Sequence, residues 1–284
     1  MSTAMMSCAA RAAHVLVDRP PFLLTDELAV ALAADHEALS FHRRLPAEPI
    51  LAGARASTVL RSRFAEDRLA ASSAEQYVVL GAGLDTSAER SARPLTAFAV
   101  DLPDALEDRR EAFARAGLTP SAIPVPWDLG QPGLLDQLAR AGLDLSLPAV
   151  VAWLGVTMYL TPASVDSVLG GLGRLAPGSE LVMDHLLPRG ERDAAGAGYA
   201  AAVGAAAGAG GEPWRWTPEA DEILAMVRAR GFEAEWVPDA EAVPASAWDR
   251  TDALRPMRLV GLVHARLGAS AVRRGVDADA RMAP

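Results

Sequence analysis

The run Tyr77-Val-Val-Leu-Gly-Ala-Gly83 constrains this chain more than any other stretch. Its β-branched and aromatic residues read as a short buried strand, and the glycines that follow at once leave a turn without side chains where a ligand can approach the backbone. A strand buried on both faces calls for helices on both faces. The chain therefore belongs to the α/β class, with a mostly parallel sheet whose ligands gather outside the carboxyl ends of its strands.

The remaining pattern repeats the same unit. Strands are expected at Tyr77–Leu80, Ala97–Val100, Ile123–Val125, Ala149–Leu154 and Glu180–Asp184, with helices Leu102–Ala116, Gly133–Ala141 and Ala163–Leu175 between them. Phe232–Val237 and Leu259–Leu267 read as a closing hairpin pair, giving a seven-stranded sheet. Ahead of the sheet, helices over Thr25–Leu39 and Ser57–Ala70 flank the proline-containing link Leu45–Pro49 and form an N-terminal cap. The Ala/Gly-rich stretch Asp193–Gly211 is open between helix and loop, because alanine favours a helix that the glycines oppose. Thr217–Gly231 carries an N-cap threonine, proline at the first helical position, an acidic first turn and a terminal glycine. The expected organisation is a helical cap at 1–72, a cofactor-binding domain at 73–268 and a flexible tail at 269–284.

Composition removes several functions. The 284 residues carry a formal charge of −9, and every one of the 27 basic residues is an arginine. A nucleic-acid partner is disfavoured by the acidic balance, and absence of lysine excludes Schiff-base chemistry and the P-loop lysine. Cys8 is the single cysteine, so no internal disulfide or thiolate metal site exists, and the five histidines lack a metal-ligand spacing. No apolar stretch approaches the roughly 20 residues that span a bilayer. The start lacks a basic n-region ahead of a long apolar run, so the expectation is a cytoplasmic protein, monomer or homodimer, with a small-molecule partner and no membrane association.

Two carboxylates sharpen the glycine turn. Asp101 ends the second strand about twenty residues beyond it, where an acid accepts from ribose hydroxyls. Asp128 ends the third strand, where it can accept from an adenine amine. Three successive strand ends thus carry groups suited to a nucleoside.

These residues resemble a known family. Leu80-Gly-Ala-Gly-Leu-Asp-Thr86, Val100-Asp-Leu-Pro103, Trp127-Asp-Leu129, Met158-Tyr-Leu160, Pro177-Gly-Ser179 and Gly211-Glu-Pro-Trp214 are similar in order and spacing to leucine carboxyl methyltransferases, in particular to their bacterial O-methyltransferase branch, several members of which serve secondary metabolism. The resemblance covers roughly Arg61 to Phe232. It implies a Rossmann-like class I methyltransferase fold, S-adenosyl-L-methionine as cofactor, and O-methylation of a small-molecule carboxylate or hydroxyl.

It also implies roles. Arg61 matches the arginine that pairs with the methionyl carboxylate, with Arg63 its competitor; Gly81, Ala82 and Gly83 match the methionine-side turn. Asp101 with Leu102 takes the ribose position, Asp128 with Leu129 the adenine position, and Trp153 is counted with the cofactor contacts. Asp85 and Thr86 shape the turn, holding the cofactor amine being the alternative for Asp85. Tyr159 falls at the family tyrosine beside the transferable methyl. His185, after the fifth strand, is the candidate general base on the strength of histidine's pKa. Leu154 departs from the family, which usually has an acid there to bind the cofactor ammonium or edge the reaction centre.

Two other readings share these features. A binder of the same cofactor that no longer transfers methyl groups is motivated by Leu154. An NAD(P)-dependent oxidoreductase shares strand, turn and distal acid, but Thr86 stands where its third glycine belongs and no Tyr-x-x-x-Lys pair is possible.

Overall fold

The computed structural model describes residues 2–268. Seven strands, β1 (Gln76–Leu80), β2 (Thr96–Asp101), β3 (Ile123–Pro126), β4 (Ala149–Trp153), β5 (Glu180–Leu186), β6 (Phe232–Pro238) and β7 (Val260–Leu267), form one sheet in the order β3-β2-β1-β4-β5-β7-β6. β7 runs antiparallel to both of its neighbours and the other pairings are parallel. The strand order reverses between β1 and β4, so the carboxyl ends of these two strands flank the switch point where open α/β sheets bind ligands. This is the seven-stranded, mostly parallel class I methyltransferase fold that the sequence implies.

Residue alternation assigns the two faces. Ala149, Val151, Trp153, Leu181 and Met183 pack with α6 (Leu134–Arg140), α7 (Pro162–Leu172) and α9 (Ala220–Ala229). Val150, Ala152, Val182 and Leu186 face the other way, against α4 (Pro49–Ala71) and α8 (Ala194–Ala209). α1 (Thr3–Val17), α2 (Glu27–Leu32) and α3 (Glu37–Arg44) form a third cluster with Phe113 of α5 (Pro103–Arg115). No described helix is long and apolar enough to cross a membrane.

Several element boundaries differ from the sequence reading for identifiable reasons. The helix expected at Thr25–Leu39 is two, α2 and α3, because His36 caps the second by accepting from the Ala38 N–H at 3.1 Å. α4 starts at Pro49 rather than Ser57, with Glu48 accepting from the Leu51 N–H at 2.8 Å. Its first turns lack an apolar period because α4 is buried on several sides, Ala52, Arg55, Ala56, Ser57 and Val59 among them. α9 begins at Ala220, past the expected Thr217-Pro218 cap, and has no side-chain cap. α1 was not foreseen at all. The expected tail at 269–284 lies outside the described residues.

The Ala/Gly-rich stretch is a helix because both of its ends are tied. Asp193 accepts from the Gly196 N–H at 2.7 Å. At the other end Gly211 takes φ +89°, its N–H reaches Gly208 O, and the Glu212 N–H reaches Ala207 O, which is the paired hydrogen bonding of a Schellman stop.

Candidate functional site

The glycine turn is held to β2 by three backbone N–H groups. Those of Gly81 and Ala82 donate to Val100 O at 2.9 and 3.0 Å, and that of Gly83 donates to Asp101 Oδ2 at 2.8 Å. Gly81 and Gly83 have φ of +66° and +43°; a Cβ on the first would collide with Val156, and on the second would lie 2.9 Å from the Ala4 methyl. Glycine is required at these two positions by conformation and by space.

Asp101 Oδ1 accepts from the Leu102 N–H at 2.8 Å. Each carboxylate oxygen so far takes one hydrogen bond and has capacity for another, which suits a diol. Burial raises the Asp101 pKa, and the bonds from Gly83 and Leu102 oppose the rise. Leu102 itself is half-exposed at the start of α5. Asp128 is exposed and accepts from the Gly130 N–H at 2.7 Å through Oδ1, while Leu129 is buried. Asp85 accepts from the Ser87 N–H at 2.8 Å and so shapes the turn.

Behind the turn a buried charge network joins it to the N-terminal helices. Asp26, fully buried, accepts from Thr86 Oγ1 at 2.7 Å and from Arg11 Nε at 2.8 Å, and pairs with Arg90 at 3.2 Å. Arg11 also donates to Leu84 O at 2.6 Å, and Arg90 makes a two-pronged contact with Glu66 at 2.6 and 2.7 Å. The Thr86 side chain is thus occupied structurally.

At the ends of β4 and β5 a second corner assembles. Arg61 of α4 donates to Ser7 Oγ at 3.3 Å and lies 3.6 Å from Asp184 of β5. Gly155, with φ +72°, passes so close that a Cβ there would lie 2.9 Å from Arg61 Nη2. Tyr159 sits in a single 3-10 turn, Thr157–Tyr159, with Trp214 and Thr3 beside its hydroxyl. Burial raises the pKa of both Tyr159 and Tyr199, and Arg61 opposes the rise in each case. Thr3, Ala4 and Ser7 share one small-residue face of α1 that closes over the corner and the glycine turn. Arg63, the competitor for Arg61, pairs instead with Asp67 at 3.1 Å.

Two expected residues point elsewhere. Trp153 is fully buried, and alternation along β4 turns it into the core beside α6 and α7. His185, also fully buried, lies on the sheet face opposite Asp184, its Nε2 accepting from Trp236 Nε1 at 2.8 Å. Burial pushes the imidazole down to about 4. A weak base, capped by an indole and facing away from the corner, is not placed for proton abstraction there. The sequence reading passes over Asp184, one residue earlier, although it ends a strand as Asp101 does; Thr3, Ala4 and Ser7 carried only the weak signal of a small-residue helical face.

The sequence model of leucine carboxyl methyltransferases matches residues 4–173, which run from α1 to just beyond α7 and include the glycine turn, Asp101 and Arg61 but not Asp184. The chain belongs to the leucine carboxyl methyltransferase family. This family member is 33% identical over 211 residues to a "putative S-adenosyl-L-methionine-dependent methyltransferase" of Mycobacterium bovis, covering 66% of this chain and 65% of the relative. A protein of the same description from Mycobacterium marinum is 34% identical over 213 residues, with 65% and 64% covered. The match thus spans just under two thirds of the length of these curated relatives. Among solved structures, a "putative methyltransferase" from Thermobifida fusca superposes with a TM-score of 0.59 at 21% identity, covering 94% of this chain and 95% of that one. A DUF574-family protein from Streptomyces avermitilis gives 0.58 at 18% identity, covering 91% and 97%. Both share the fold.

Proposed function

We propose that this chain binds S-adenosyl-L-methionine across the two corners and transfers its methyl group to an oxygen of a small molecule, with a carboxylate the favoured acceptor. Arg61 would hold the methionyl carboxylate, Asp101 the ribose hydroxyls and the exposed Asp128 the adenine amine. When bound, the cofactor supplies a methyl group already activated by its sulfonium.

The observation that carries the reading is Asp101: its carboxylate is fastened by the Gly83 and Leu102 N–H groups yet retains acceptor capacity at a strand end beside the glycine turn. The protein's work is then alignment and exclusion of water. α1 shields the corner through Thr3, Ala4 and Ser7, and the Trp214 and Tyr199 rings supply apolar walls. Tyr159 and Tyr199, protonated at neutral pH as phenols ordinarily are, can donate to an acceptor oxygen and orient it. His185 is turned away, so an acceptor already ionised at neutral pH is favoured over an alcohol that needs a base.

Calorimetry with S-adenosyl-L-methionine, its demethylated product and NAD tests the cofactor assignment; binding to NAD alone would overturn it. Incubation of a carboxylate and phenol panel with methyl-labelled cofactor then tests the transfer. A labelled methyl ester is the expected product, labelled aryl ethers alone would move the acceptor class to phenols, and tight binding without any labelled product would count against transfer to either acceptor class.

A further inference from the structure

Asp184 closes the carboxyl end of β5, and its two side-chain oxygens are treated unequally. Oδ1 accepts from the Gly155 N–H at 2.6 Å. Oδ2 is buried with no hydrogen-bond donor among the described residues, and Arg61 Nη1 at 3.6 Å is too distant to serve as one. Leaving a carboxylate oxygen unserved inside a protein is costly, and burial accordingly raises the Asp184 pKa while Arg61 works against the rise. Arg61 is equally under-used, since its one hydrogen bond among the described residues goes to Ser7 Oγ at 3.3 Å.

Two arginine–carboxylate pairs elsewhere in the molecule close fully. Arg90 grips Glu66 at 2.6 and 2.7 Å, and Arg55 grips Asp18 at 2.9 and 3.0 Å, both with two prongs. Arg61 and Asp184 are instead kept side by side without closing on each other. Gly155 packs against the guanidinium, and Thr157 Oγ1 donates to the Asp184 carbonyl at 2.8 Å. Leu154 brings no charge to the corner. A cation–anion pair with unused hydrogen-bonding capacity complements a ligand bearing an anion and a cation on one carbon.

We propose that Arg61 and Asp184 together form a zwitterion clamp, in which the guanidinium takes an α-carboxylate and Asp184 Oδ2 accepts from the α-ammonium of the cofactor's methionyl part. This rests on the cofactor assignment above and adds a binding residue to it. The clamp makes the site selective for adenosyl amino acids over adenosyl thioethers that lack the amino acid. Entry of the ligand exchanges the Ser7–Arg61 bond for the carboxylate and shifts Arg61 and the α1 end aside, so that the ammonium reaches the buried Oδ2.

The test compares S-adenosylhomocysteine with 5′-methylthioadenosine, which shares the adenosyl thioether and lacks the amino-acid end. In Asp184→Asn an oxygen remains for the Gly155 N–H while the charge is gone. Affinity for S-adenosylhomocysteine should fall by about 10- to 100-fold, as expected for loss of a charge-assisted bond, and that for 5′-methylthioadenosine should stay within about twofold. Equal loss for both nucleosides, or no loss for either, overturns the clamp. The double variant Arg61→Met/Asp184→Asn strands no buried charge and keeps the test decisive if the single variant folds poorly; it should bind the two nucleosides almost equally, and retained preference for S-adenosylhomocysteine refutes the proposal. Wild-type protein that binds neither nucleoside overturns the cofactor assignment and the clamp together, whereas binding of both with an indifferent Asp184→Asn overturns the clamp alone.

Discussion

Replacing Gly81 by alanine separates two reasons for a glycine that are usually confounded. Gly81 and Gly117 have nearly the same backbone, φ +66° and +70°, but a Cβ on Gly81 collides with Val156 whereas one on Gly117 meets nothing within 4 Å. Both alanine variants incur the left-handed backbone cost of about 1–2 kcal/mol. Only Gly81→Ala adds overpacking, about 1–3 kcal/mol. For a chain of this size about 1 kcal/mol lowers the unfolding midpoint by roughly 2 °C, so Gly117→Ala should lose about 2–4 °C and Gly81→Ala about 4–10 °C. Thermal unfolding followed by circular dichroism measures both. A companion change, Val156→Ala, should restore the overpacking share in the Gly81→Ala background and leave the backbone share in place. Equal losses for the two glycines, or no recovery on trimming Val156, would show that the turn has slack where Val156 is packed and would refute the steric argument.

Thr86→Val removes the 2.7 Å bond to buried Asp26 and should lower stability by about 1–3 kcal/mol, measured by urea unfolding. His185, pushed down to about 4, stays neutral in the fold while the unfolded chain takes up a proton below about 6.5, so its contribution to stability is lost as pH falls from about 6.5 towards 4, by up to about 1.4 kcal/mol per unit. His185→Gln, which keeps an acceptor for Trp236, should flatten that part of the pH profile, and an unchanged slope would place the titration elsewhere. In α8, Gly198→Ala enters open space and should raise stability by about 0.5–1 kcal/mol, whereas Gly196→Ala runs into the Arg258 carbonyl and should lower it; the order of the two melting temperatures decides.

Much of this architecture is legible in the sequence because buried strands write themselves as short apolar runs, and all seven expected strands are present within two residues of their ends. The glycine turn and Asp101 are legible for a related reason: they need particular residue types at a strand end. What escaped lies where burial is shared among several partners. α4 has no single apolar face to read, and α1 touches the site through Thr3, Ala4 and Ser7, whose small size matters only once a neighbouring backbone is in view. His185 and Asp184 exchange prominence for the same reason. Chemistry favours the histidine as a base, but alternation along β5 sends it to the opposite face and leaves the aspartate at the corner.

The charges around Asp26 bear on how relatives of this protein can be recombined. Arg11 and Asp26 come from the first helices, Glu66 from α4, and Thr86 and Arg90 from the segment after the glycine turn, so these five side chains interlock across the link between α4 and β1. A chimera spliced there would strand buried carboxylates and guanidinium groups from two parents that never matched one another, and it would do so directly behind the turn. Grafting different N-terminal helices onto this sheet therefore requires Thr86 and Arg90 to travel with them, or all five positions to be made apolar together.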